Sequence, residues 1–329
     1  MQLYNPFDNL HFDENTCFLS GDDLDNKEFI SIFPDWIMDK FELRGKRFKL
    51  MDKINELYYD DLKLPCSPRV KAKFDELEQE IETAFNSGYE AVKALDSYKL
   101  FIWASKITYG ALYHDLVIEQ KLKARQSAEM NLADVLKERF GLFHLMLQSF
   151  IQPITFKEGR KPWSISVVRL KYSKDILNYK DDSVNMTFFL GLNGFGIIAC
   201  LLDNETVIEQ MQPLLNKIGD TVLHPVQFEE LTSRFQYFSY LLDYKPKYRI
   251  RSTENGGYEI ESLPIESDGT TPVFDSWNDE TFATVLEGAF KPWGLTKKEI
   301  HTPPNAPMSF LENEVTYEFI PFEKISLPY

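Results

Sequence analysis

Between Pro68 and Leu147 the apolar side chains recur every three or four residues, and beyond Trp163 they recur roughly every two. That change of period constrains the fold more than any other feature, because a 3.6-residue period belongs to helices and a two-residue period to strands. Phe74, Leu77, Ile81, Ala84 and Phe85 form one stripe of a helix opening at Pro68, with Asn86-Ser-Gly88 as an interruption. Leu100, Trp103, Ile107, Ala111, His114 and Ile118 mark a second helix near 98–124. Leu132, Val135, Leu136, Phe140, Phe143 and Leu147 mark a third near 131–151, which Pro153 stops.

After residue 160, Trp163 to Tyr172 alternate as a strand, and 184–190 and 195–202 read as two more with Gly194 turning between them. Helices follow near 205–218 and 225–243, the second with Pro225 in its first turn. A hairpin around Asn255-Gly-Gly257, a helix near 278–290 and a proline-punctuated arm complete the chain. The expected class is α+β, with a helical region over 1–155 and a mixed helix and antiparallel-sheet region over 156–329 that ends in an acidic arm. Few glycines and prolines mark the boundary, so a core shared by both halves is expected.

The net charge is −15 and unevenly spread. Residues 1–35 carry −7 and residues 252–329 carry −10, which leaves the middle near +2. A field of this sign repels nucleic acid and anionic membranes at long range. Within the middle there are three basic stretches, around 157–174, around 245–251, and Lys40, Arg44, Lys46, Arg47, Lys49 and Lys53, the last a strip where a polyanion would be expected to bind. No apolar run approaches the length of a membrane span. Met1 to Leu10 lacks the basic and apolar regions of a secretory signal. Three cysteines far apart build no disulfide framework and suit a reducing, cytoplasmic compartment.

The first 80 residues hold the most informative pattern. Cys17-Phe-Leu-Ser20 has C-x-x-C spacing with a hydroxyl in place of the second thiol. Ser31-Ile-Phe-Pro-Asp-Trp36 follows, and Leu64-Pro-Cys-Ser-Pro-Arg-Val70 opens the first long helix. This order resembles a degenerate form of the HNH endonuclease-like, treble-clef family over residues 15–85. It also looks like a branch of uncharacterised bacterial proteins, a likeness that extends over most of the chain without supplying a function. The resemblance assigns the structural zinc ligands to Cys17, Ser20, Ser67 and Val70, the catalytic histidine to Ser31 with Ile30 before it, and the helix asparagine to Lys71. Tetrahedral zinc needs four thiolate or imidazole ligands, and only one thiol remains at these positions; Cys66 lies one residue off. A serine is no general base at neutral pH. The resemblance therefore implies a metal-free knuckle held by apolar packing, with Phe18, Leu19, Ile32, Phe33, Trp36, Leu64 and Phe74 as its candidates, and no cofactor.

Other chemistry-bearing residues are weaker. His114, His144 and His224 are the histidines that a cleft would need, and no tight metal spacing joins them. Gly191-Leu-Asn-Gly-Phe-Gly196 lacks the Gly-Lys-Ser/Thr ending of a phosphate loop and reads as a hairpin turn. The acidic pairs, Glu229-Glu230 among them, are expected to face water. The leading expectation is a non-catalytic binding or interaction protein, with another protein as the favoured partner. An enzyme with a site in the second half or between the halves, and a non-cleaving nucleic-acid binder, are the alternatives.

Overall fold

The computed structural model describes residues 3–50, 56–242, 246–265 and 272–327. Lys53 of the basic strip lies outside the described residues. The chain opens with a loop that buries Phe7, Phe12, Cys17, Phe18 and Leu19. The strand β1 (Glu28–Ser31) and helix α1 (Asp35–Lys40) follow, then the paired strands β2 (Arg47–Lys49) and β3 (Glu56–Tyr58), and β4 (Lys63–Cys66). β4 runs antiparallel to β1, with Phe29 opposite Pro65 and Ile30 opposite Leu64.

Four helices come next: α2 (Pro68–Ser87), α3 (Tyr89–Lys93), α4 (Ser97–Arg125) and α5 (Asp134–Gln148). Pro68 sits in the first turn of α2 behind the cap Ser67, whose Oγ accepts the Val70 amide at 3.4 Å. Gly88, at φ 89°, ends α2 and starts α3. The stripe read for α4 is too narrow. Every residue from Leu100 to Tyr113 is buried, Ser105, Lys106 and Thr108 among them, because this helix runs through the middle of the core. Val135, read as part of the α5 stripe, is 40% exposed at the first turn of that helix.

The second half starts with β5 (Ile154–Phe156), β6 (Ser164–Leu170), β7 (Asn178–Asp182), β8 (Thr187–Leu192) and β9 (Gly194–Cys200). It continues with α6 (Thr206–Ile218), β10 (Val222–Leu223), α7 (Pro225–Leu241), β11 (Tyr248–Ser252), β12 (Tyr258–Ser262), α8 (Asp279–Phe290) and α9 (Lys297–Ile300). The main sheet has the order β10-β6-β9-β8-β7, antiparallel except where β10 joins β6. β5 joins the hairpin β11-β12 in a smaller sheet.

The main sheet is buried on both faces, and the two-residue period sorts its side chains. Phe188, Leu190, Phe195, Ile197 and Ala199 enter a core shared with the N-terminal loop and α4. Phe189, Ile198 and Cys200 enter a second core with α6 and α7. Double burial is why these strands read as unbroken apolar runs. The first core crosses residue 155: Phe101 stacks on Trp163 at 4.1 Å, and Phe85 meets Phe195 at 4.9 Å. The two glycines of the hairpin motif are explained by packing. Gly191 and Gly196 are paired across β8 and β9, and the Phe228 ring of α7 lies on them. A Cβ on Gly196 would stand 2.3 Å from that ring.

Two acids overturn the expectation that the acidic pairs face water. Glu229 is buried and accepts from Asn178 Nδ2 at 2.6 Å. Glu230, fully buried, accepts the Phe310 amide at 2.6 Å and Ser309 Oγ at 2.7 Å. The proline-rich arm is thereby fastened to α7. Among the described residues no helix is long and apolar enough to cross a membrane.

Candidate functional site

The positions named by the resemblance lie around the start of α2. Cys17 and Cys66 are both fully buried, and both thiols are free. The turn after Cys17 closes through Gly21 N to Cys17 O at 3.0 Å, and Phe18 N reaches Pro65 O at 2.9 Å, tying the turn to β4. Ser20 Oγ donates to Asp22 Oδ2 at 2.7 Å. Ser67 caps α2, and Val70 is buried with no donor atom to offer. Phe18, Leu19, Ile32, Phe33, Leu64 and Phe74 are all buried, while Trp36 is only partly so.

These residues do not fit zinc. One thiol, two hydroxyls engaged in local hydrogen bonds and an isopropyl group are not a tetrahedral donor set. Burial, with Cys17 nearby, pushes the Cys66 thiol up to about 12, far from the thiolate that a metal requires. Among the described residues no group of three or more His, Cys, Asp or Glu is placed to hold a metal ion.

Ser31, which the resemblance aligns with a catalytic histidine, makes a structural bond through its backbone. Its carbonyl accepts Lys106 Nζ at 3.1 Å. Lys106 is 1% exposed and pairs with Glu78, whose other oxygen accepts Trp103 Nε1 at 3.0 Å. Lys71 Nζ, which the resemblance aligns with the helix asparagine, donates to Asp75 at 2.6 Å.

The basic strip is exposed but interleaved with acids. Arg44 bonds Asp39 at 2.6 Å and Asp35 at 2.8 Å, and these carboxylates hold its guanidinium more firmly protonated. Arg47 bonds Glu56 at 2.9 Å, and Lys46 Nζ donates to the Phe41 carbonyl at 3.3 Å. Lys40 lies over the Phe41 ring at 5.7 Å. Lys49 is exposed at the end of β2.

The three histidines serve different places. His144 is fully buried: Nε2 donates to the Phe18 carbonyl at 2.7 Å, and Nδ1 therefore accepts from Gln148 Nε2 at 3.0 Å. Burial lowers its pKa to about 4. His224 caps α7, accepting the Val226 amide at 3.2 Å, and its ring rests on Phe322. His114 lines an open groove of about 700 Å³ with Asp60, Asp61, Lys63 and Lys121. Its Nε2 is 3.0 Å from the Lys63 carbonyl, and burial lowers its pKa.

A second groove, of about 590 Å³, lies between the halves. Arg47, Lys49 and Tyr59 form one wall, and Tyr179 and Asp181 of β7 form the other. Burial pushes the Asp181 carboxyl up to about 6, partly offset by the Tyr179 hydroxyl. A carboxyl titrating near neutrality can exchange a proton with a bound molecule. Asp182 beside it is occupied by its own turn, accepting the Val184 and Asn185 amides at 2.9 Å each. In the sequence Asp181 stands out only as half of the acidic pair Asp181-Asp182, expected to face water, since β7 reads Asn-Tyr-Lys-Asp-Asp.

No protein-family model, curated protein or solved structure matches this chain.

Proposed function

We propose that this chain is a non-catalytic binding protein of the cytoplasm, with another protein as its partner, built on a metal-free descendant of an HNH-like, treble-clef module. The element order supports the ancestry: the turn at Cys17, the paired strands β1 and β4, and α2 opening directly after Cys66. One observation carries the functional reading. At four of the positions that the resemblance assigns, this chain has a side chain spent on its own fold: Ser20 on Asp22, Ser67 on the α2 cap, Val70 in the core and Lys71 on Asp75, which leaves Cys17 as the lone thiol. At Ser31 the hydroxyl is the wrong chemistry, and the carbonyl anchors Lys106.

The test is a cleavage assay on single- and double-stranded DNA with magnesium, manganese, nickel and zinc in turn. No cleavage is expected with any of them. Metal-dependent cutting that disappears in Ser31→Ala would overturn the reading.

The groove between the halves favours a second reading, an enzyme that uses Asp181 as its proton carrier. Its raised pKa and position in a ligand-sized groove are the support. Nucleic-acid binding ranks below both, because the net charge is −15 and Asp35, Asp39 and Glu56 pair with Arg44 and Arg47 of the basic strip.

A further inference from the structure

The chain leaves the end of β9 through Leu201 and Leu202 and turns at Asp203 into α6. The turn is bolted down: the amides of Asp203 and Asn204 both donate to the Pro162 carbonyl, at 3.0 and 3.1 Å. Asp203 is 3% exposed. Its Oδ2 accepts Ser164 Oγ at 2.5 Å and the Val207 amide at 3.0 Å, while its Oδ1 has no partner. Tyr248 of β11 brings a second buried atom without a partner, its hydroxyl. Both residues line the same cavity of about 50 Å³. Burial, with Asp203 nearby, pushes the Tyr248 phenol well above its ordinary value, so it stays a donor, and burial lifts the Asp203 carboxyl to about 7, so its Oδ1 is an acceptor above that pH.

Much of the remaining wall is apolar, from Leu142, Met186, Leu202 and Leu242. The exposed Val135 marks an opening to the surface. The backbone here is strained. Met186, Asn204 and Glu205 have φ of 55°, 50° and 59°, a region that costs a residue with a Cβ and persists where surrounding structure enforces it. A buried donor and, above about pH 7, a buried acceptor, both without partners and both on residues that line one cavity, are costly to fold and are relieved by a molecule that pairs with both.

We propose that this cavity binds a short, uncharged molecule bearing a primary amide. Its carbonyl accepts from the Tyr248 hydroxyl, its NH₂ donates to Asp203 Oδ1, and its alkyl end packs on Met186 and Leu202. The volume suits a compound only a few times the bulk of water. A ketone of the same size satisfies Tyr248 alone, so the amide is preferred. The site is separate from the knuckle and from the groove between the halves.

Propionamide is the probe, followed at pH 8 and above, where Asp203 is ionised, through the Met186 methyl signal by NMR, with butanone as the comparison. A saturable shift with propionamide, weaker with butanone, is expected. Tyr248→Phe should remain folded, melt no lower than the parent, and bind propionamide at least about tenfold more weakly. No saturable shift up to the solubility limit overturns the proposal, as does equal binding by Tyr248→Phe. A clearly lower melting temperature for Tyr248→Phe also overturns it, since the hydroxyl would then be holding resident water as part of the fold.

Discussion

Lys106 and Glu78 form an ion pair inside the protein, joining the central helix α4 to α2 directly beneath the carbonyl of Ser31. The lysine is 1% exposed and the glutamate 16%. An isolated charge at such a depth is unfavourable, so the pair, the Ser31 carbonyl and the Trp103 indole form one hydrogen-bonded unit.

Removing one member should therefore be far worse than removing both. Lys106→Ala leaves Glu78 without its cation and is expected to cost about 3–5 kcal/mol in urea unfolding. Lys106→Met combined with Glu78→Gln should recover much of that loss. Equal stability of Lys106→Ala and the parent would show that the pair contributes nothing to the fold.

His144 makes acid destabilising. Its neutral ring donates from Nε2 to Phe18 and accepts at Nδ1 from Gln148, so a second ring proton would face the Gln148 amide. Its folded pKa, about 4, lies below the ordinary value of 6.5. Between these values the unfolded chain binds the extra proton and the folded chain does not. The stabilisation is thus complete above about pH 6.5 and is lost as pH falls toward 4. The difference in unfolding free energy between the parent and His144→Gln should shrink over that window. A difference that stays constant with pH would mean that His144 titrates normally in the fold.

Two glycines predict opposite signs for one substitution. Gly196→Ala drives a methyl into the Phe228 ring and should cost about 1–3 kcal/mol, partly restored by Phe228→Leu. Gly288 sits in α8 with open space around it, and Gly288→Ala should stabilise by about 0.5–1 kcal/mol. Thermal unfolding of the two variants checks both, and a matching sign would contradict the packing described for β8, β9 and α7.

The long helices and the apolar strands were legible because each buries a repeating stripe or run. α2, α6 and α8 lie within a residue or so of the spans their periodicity predicts. What escaped depends on partners distant in sequence. Glu230 looks like a solvated helix acid until the arm at Ser309–Leu311 folds back onto it. β7 is polar throughout and pairs only along one edge of β8. The all-round burial of α4 arises because the N-terminal loop and the main sheet both pack against it. The helix near 205–218 is legible, yet nothing local discloses that Asp203 before it and the distant Tyr248 line one cavity.

The central proposal, that hydrogen bonds and apolar contacts hold the segment around Cys17 and Cys66 without metal, is tested most directly by native mass spectrometry of the purified chain with a paired chelator melt. The account predicts no stoichiometric zinc and an unchanged melting temperature. One zinc per chain, whose removal unfolds the protein, would contradict it.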